Sequence, residues 1–186
     1  MHSYQGQLLV ASAHLADPNF FRTVVLIIQH DADEGTFGVV LNRPSNKRVS
    51  ELWQEVCGES CSCDAWVHIG GPVSGPILAL HRDVCHSQDE VLPGLYLAAD
   101  RERLRELVQA GSKEGPVRLF CGYAGWAAGQ LESELAEGSW LVTPACVEDV
   151  FAPPHDLWER VLRRIGRAAL EPVLASVPVP EDPSWN

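Results

Sequence analysis

The most continuous apolar run in the chain is Thr23–Gln29, TVVLIIQ, β-branched or aliphatic at almost every position. Apolar residues on consecutive positions, rather than alternate ones, predict a strand buried on both faces at the centre of a sheet. The polar stretch HDADEG follows, and Thr36–Asn42, TFGVVLN, predicts a returning strand, so the pair reads as a hairpin. Gln7–Ala11 predicts a first strand, after which Asp17-Pro18 turns the chain. Ala65–Ile69 and Pro76–His81 predict two strands around the tight corner Gly70-Gly71-Pro72-Val73, and Gly94–Ala98 an edge strand. Pro116–Cys121 and Ser139–Thr143 complete the set. Helical spacing appears in Ser50–Cys57, capped by Ser50 with Leu52 and Val56 on one face, and in RERLRELVQA, capped by Asp100 and stopped by Gly111. It recurs in Gly129–Glu137, ended by Gly138, and in His155–Ile165, with Gly166 as its C-cap. About eight strands and four short helices without strict alternation predict an α+β fold. Its sheet is mixed and strongly bent, with helices packed outside.

Length places this pattern in one domain, 1–186, with an extended, proline-rich tail from about residue 177 that carries Trp185. No apolar run approaches the roughly 18–20 residues of a membrane span. The N-terminus MHSYQGQLLVASAHLADPNFF lacks a basic n-region, so a cytoplasmic protein is expected. The net charge of −11 repels phosphate backbones and anionic membrane surfaces. Arg160, Arg163, Arg164 and Arg167 form the one basic cluster, read as cations late in a helix that complement its dipole.

Six cysteines without a secretory signal read as free thiols. Cys57, Cys61 and Cys63 lie in a polar, irregular loop, with His68, His81, Cys85 and His86 as conceivable zinc partners, but the spacing matches no standard zinc knuckle and no metal is expected. Asp31, Asp33 and Glu34 lack calcium-loop spacing.

The chemistry-bearing candidate is Gly122–Glu134, GYAGWAAGQLESE, three glycines and an indole followed by two carboxylates. Its glycines match neither a dinucleotide fingerprint nor a phosphate loop, so no cofactor is expected. Asn42-Arg43-Pro44 places an arginine at a strand end, where it can hold an anion or satisfy loop carbonyls. Ser74 stands outside any nucleophile elbow.

Four motifs together resemble the AlgH/YqgE family of small bacterial proteins. They are Gly6-Gln7-Leu8-Leu9-Val10-Ala11 running through Asp17-Pro18-Asn19-Phe20 to Arg22-Thr23-Val24-Val25; Asn42-Arg43-Pro44; Gly70-Gly71-Pro72-Val73; and Gly122-Tyr123-Ala124-Gly125-Trp126 with Gly129-Gln130-Leu131-Glu132. The resemblance implies bifurcated, coiled sheets forming a small barrel with helices outside. It implies no reaction, because the family's activity is not established; its frequent label as a transcriptional regulator rests on a link with alginate production.

The expected function is a non-enzymatic binding or regulatory module that acts indirectly, through a small anionic ligand or a protein partner. The candidate binding residues are Arg43, Asn42, Gly71, Tyr123, Trp126, Gln130 and Glu132. One alternative is an enzyme in which Glu132 or Glu134 acts as general base beside Arg43. That requires an extended backbone, because on a helix the two carboxylates point about 200° apart. The other alternative, a direct DNA-binding regulator, is disfavoured by the net charge and by the lack of a helix-turn-helix pattern. The glycine-rich corners and Trp126 could equally be structural, the former bending the sheet and the latter anchoring the core.

Overall fold

A computed structural model describes residues 3–110 and 115–176. The expected helix stop at Gly111 and the tail from 177 onward, Trp185 included, lie outside the described residues. In order the elements are β1 (Gln7–Ala11), β2 (Val24–Asp31), β3 (Gly35–Val40), β4 (Pro44–Arg48), α1 (Val49–Cys57), β5 (Trp66–Ile69), β6 (Val73–His81), β7 (Asp89–Leu92) and β8 (Leu95–Ala98). They continue as α2 (Arg101–Ala110), β9 (Val117–Trp126), α3 (Gln130–Ala136), β10 (Trp140–Pro144), α4 (Val147–Phe151) and α5 (Leu157–Ser176).

Strand β9 belongs to two sheets, which makes the architecture a bifurcated, mixed α+β fold. Its first half runs parallel to β5, pairing His68 with Phe120 and Ile69 with Cys121, and antiparallel to β6, from Ile77 opposite Cys121 to His81 opposite Val117. Past Gly122, which has a positive φ of 73°, the second half turns to β3, placing Thr36 opposite Trp126 and Gly38 opposite Ala124. One arm is therefore β10-β1-β2-β3-β9 and the other β9-β6-β8-β7, with β4 and β5 alongside.

Alternation along these strands feeds separate cores. In β2, Val24, Leu26 and Ile28 enter a core closed by α4 and α5 through Val150, Leu157 and Val161, while Val25 and Ile27 enter another with Trp126, Leu131 and Trp140. This accounts for the unbroken apolar run: both faces of β2 are covered. In β9, Phe120 faces the first core and Leu119 a third one, roofed by α1 and α2 through Trp53, Leu104, Leu107 and Val108. Each fully buried aliphatic side chain contributes about 1.5–3 kcal/mol of transfer free energy.

The structure departs from the sequence reading in several places. The strand expected at Pro116–Cys121 does not stop there: β9 continues through Gly122–Trp126. Gly94–Ala98 is not an edge: β8 is flanked by β6 and by β7, which forms the edge. α1 begins one residue before Ser50; its N-terminus is closed by Glu51, whose carboxylate accepts the Arg48 N–H at 2.8 Å. Its buried face is Val49, Leu52 and Trp53, and Val56 is exposed. Gly166 is not a C-cap. α5 runs through it, since an interior glycine costs only about 1 kcal/mol relative to alanine and good helix formers, Arg167 to Leu170, follow. The arginine cluster consequently ends at the middle of α5, away from the negative end of its dipole. Acidic partners hold three of the four: Arg160 on Asp156, Arg163 on Glu159, and Arg164 on Asp149 at 2.9 Å.

Candidate functional site

Trp126 is only 5% exposed. It stacks on Phe20 at 6.0 Å and meets Trp140 edge-on. Its indole N–H donates to Oε2 of Glu134 at 2.9 Å, and the indole of Trp140 donates to the same oxygen at 2.8 Å. Gln130 donates to the other oxygen, Oε1, at 2.9 Å, while its own carbonyl oxygen accepts the Ala127 N–H. The Glu134 carboxylate is thus committed to three side-chain donors. Glu132, on the same helical turn of α3, points elsewhere and lies 3.6 Å from Nε2 of His30, whose Nδ1 is 2.8 Å from the Thr36 hydroxyl. This line of groups ties α3 to the β2–β3 hairpin.

Tyr123 lies edge-on to Phe37 and between two glycines: a Cβ on Gly75 would come within 2.9 Å of its ring and one on Gly125 within 3.2 Å. With Trp126 it lines an open groove of about 410 Å³ whose polar rim is Gln29, Glu34 and Thr36. Among the described residues that line it Glu34 is the only charged one, so they give an anion no cationic partner.

The two remaining motifs serve the backbone. Asn42 accepts the Val24 N–H at 2.9 Å and donates to the Arg22 carbonyl at 2.9 Å. Arg22 needs such a clamp, being the one described non-glycine residue with positive φ, at 54°. The Arg43 guanidinium donates to the Phe21 carbonyl. At Gly71 a Cβ would stand 2.1 Å from the Tyr123 carbonyl carbon, so this glycine is where two backbones touch. Arg43 follows the end of β3, whereas Glu132 sits by its start, roughly 20 Å away at about 3.3 Å per residue. Of the candidate residues, the structure brings together Tyr123 and Trp126, and joins Gln130 to them through Glu134; Gly71 meets the backbone of Tyr123 without lining the groove, Arg43 and Asn42 lie past the far end of β3, and Glu132 faces His30.

A second recess emerges where β5 meets β9. The His68–Phe120 register puts His68 on the same face of the sheet as Arg118, two residues before Phe120. Arg118 donates Nη2 to the Ala152 carbonyl at 3.0 Å, but Nη1 is buried without a hydrogen-bond partner. Among the described residues no carboxylate pairs with it, and desolvation pulls its pKa down to about 10. His68 is 5% exposed, and burial, reinforced by the neighbouring Arg118 charge, lowers its pKa to about 4, so the ring is neutral at physiological pH. Its Nδ1 lies 3.2 Å from the Trp66 carbonyl, which can only accept, and so Nδ1 carries the proton. Nε2 keeps a bare lone pair, buried and unpartnered. Pro44, Trp66, Phe151 and Pro154 wall this recess of about 220 Å³. The Arg48 guanidinium lies over the Trp66 ring, 3.6 Å from its centroid.

Sequence reasoning considered His68 only as a zinc partner and did not single out Arg118. The available signal was a charged residue inside the apolar strand VRLF, because a buried polar group is more informative than an exposed apolar one. The cysteines are free: Cys57, Cys61 and Cys63 are half-buried against the core beneath α1 and α2, and Cys121 has its thiol pKa raised by burial. Among the described residues no cluster of three His, Cys, Asp or Glu could hold a metal ion, and no helix is long and apolar enough to cross a membrane.

Comparison with known proteins gives a consistent outcome. A UPF0301 protein of Chlorobaculum tepidum is 43% identical over 166 residues, covering 87% of this chain and 86% of the relative. A UPF0301 protein of Thermobifida fusca is 42% identical over 198 residues, covering 99% and 96%. The solution structure of the AlgH protein from Pseudomonas aeruginosa superposes with a TM-score of 0.72 at 28% identity, covering 97% of this chain and 96% of that one. The crystal structure of protein DIP2367 from Corynebacterium diphtheriae gives 0.68 at 32% identity over 88% of each. The model of the family described as AlgH-like matches residues 8–169, and the chain belongs to that family.

Proposed function

We propose that this protein is a non-enzymatic binding module that takes a small anion on Arg118, in the recess beside His68. The observation that carries the reading is the buried, unpartnered Nη1 of a guanidinium that no carboxylate pairs with among the described residues. A cation held in an apolar recess without a counter-ion is costly, and an incoming anion offsets that cost. The Glu/Arg catalytic alternative has no shared cleft, since Arg43 is bonded to a loop carbonyl and Glu134 to two indoles. Direct DNA binding has an overall charge of −11 against it, and three arginines of its one basic cluster are paired with acids. Regulation through such a module is indirect, carried by ligand occupancy or by a protein partner that senses it.

Thermal unfolding with acetate, lactate, phosphate and chloride at matched ionic strength tests the reading. An anion present at about 100 times its Kd stabilises by about 2.7 kcal/mol, a shift of several degrees. The shift is expected to vanish in Arg118→Gln and to persist in Arg43→Ala. No specific shift with any anion, or an undiminished one in Arg118→Gln, overturns it.

A further inference from the structure

Resting on that reading, we infer that the acid taken by this recess is a 2-hydroxycarboxylate with a small apolar substituent, its carboxylate on Arg118 and its hydroxyl donating to Nε2 of His68. The two polar groups are chemically opposite. Arg118 has only N–H donors to offer. His68, with its proton held on Nδ1 by the Trp66 carbonyl, offers only a lone pair. A plain carboxylate satisfies the first and leaves the second facing either nothing or another lone pair. An acid with a hydroxyl on the adjacent carbon satisfies both.

The rest of the recess narrows the class further. One guanidinium suits a monoanion better than a dianion. Pro44, Trp66, Phe151 and Pro154 suit an apolar side group rather than a second polar one. The volume of about 220 Å³ lies below the roughly 300–1,000 Å³ typical of sites for drug-sized ligands, so the substituent is short or a single ring. Both nitrogens lie beneath the solvent-touched surface. Entry therefore requires a wall to yield, and Trp66, 43% exposed, faces solvent at that wall.

Matched acids that differ only in the hydroxyl test the inference: mandelate against phenylacetate, and lactate against propionate, by isothermal titration calorimetry on the full chain at pH 7. Leaving a buried acceptor unpaired costs about 1–3 kcal/mol, so the hydroxy acid of each pair is expected to bind at least about 5-fold more tightly. The preference is expected to fall below about 2-fold in His68→Phe and to survive in His68→Gln, whose side-chain oxygen still accepts; Arg118→Gln loses both acids of a pair. An Nε2 resonance of His68 that shifts with mandelate and not with phenylacetate gives a readout without a variant. Equal, Arg118-dependent affinity for the two acids of a pair overturns the hydroxyl inference and leaves the anion reading standing. Tighter binding of inorganic phosphate than of either hydroxy acid does the same. Binding of none of these anions overturns both.

Discussion

The indole N–H of Trp126 reaches Oε2 of Glu134 at 2.9 Å, closing a link from β9 to α3 that Trp140 shares from β10. One half-buried carboxylate thus satisfies two buried indoles on strands from opposite ends of one sheet arm. Glu134→Ala leaves both donors unpartnered, at about 1–3 kcal/mol each, and is expected to destabilise the fold by about 2–4 kcal/mol. Glu134→Gln keeps an acceptor oxygen and is expected to cost less. Urea unfolding followed by tryptophan fluorescence decides it; an alanine variant as stable as the parent removes the carboxylate from the list of what holds the sheet together.

Gly71→Ala is expected to prevent folding, or to cost more than about 3 kcal/mol. Its Cβ would lie 2.1 Å from the Tyr123 carbonyl carbon and 2.3 Å from the Ala124 nitrogen, both backbone atoms fixed by pairing. Gly129→Ala is the matched control: φ there is also positive, at 73°, but no atom stands within 4 Å. It is expected to cost about 1 kcal/mol, the usual strain of a left-handed non-glycine residue. Soluble yield and circular dichroism separate the two outcomes.

How far the sequence carried these assignments depended on periodicity. β2 was legible because burial on two faces leaves an unbroken apolar run, and α2 because Leu104, Leu107 and Val108 repeat at helical spacing; of β9 only the first half, read as Pro116–Cys121, was legible, since the glycines beyond it interrupt the pattern. β4, PSNKR, was not: it is polar, and it pairs with β5 at only two positions across an irregular register. α4 was missed because a five-residue helix is too short to show a period. A bifurcated sheet was implied by the family resemblance, but neither that resemblance nor residue spacing placed the split at Gly122. The recess was illegible for a different reason. Its groups come from β5, β9 and the end of α4, and only the parallel β5–β9 register brings His68 to Arg118.

Asn42 and Arg43, adjacent in one motif, are expected to behave differently. Asn42→Ala removes the acceptor of the buried Val24 N–H and the donor to Arg22, for about 2–3 kcal/mol. Arg43→Ala removes one hydrogen bond to the Phe21 carbonyl from a partly exposed side chain, for about 1 kcal/mol. Chemical denaturation of both variants checks the order, and a larger loss in Arg43→Ala would mean that the guanidinium does more than brace that loop.

His68 also predicts how stability varies with pH. Its folded pKa of about 4 lies below the ordinary 6.5, so below pH 6.5 the unfolded chain binds a proton that the folded chain refuses. The contribution is complete above pH 6.5 and is lost progressively as pH falls through about 4. At 1.36 kcal/mol per unit it is of order 3 kcal/mol. Burial lowers the pKa of His81 too, and the carboxylates of Asp31 and Asp100 are held low by backbone N–H groups, so the parent curve contains other titrations. The difference between parent and His68→Phe isolates the one at issue. Urea unfolding at pH 7.5, 5.5 and 4.5 is expected to show the parent losing stability faster than the variant. Parallel curves would mean that His68 takes up its proton in the folded state. The lone pair on Nε2, and with it the preference for a hydroxyl donor, would then be gone well above pH 4.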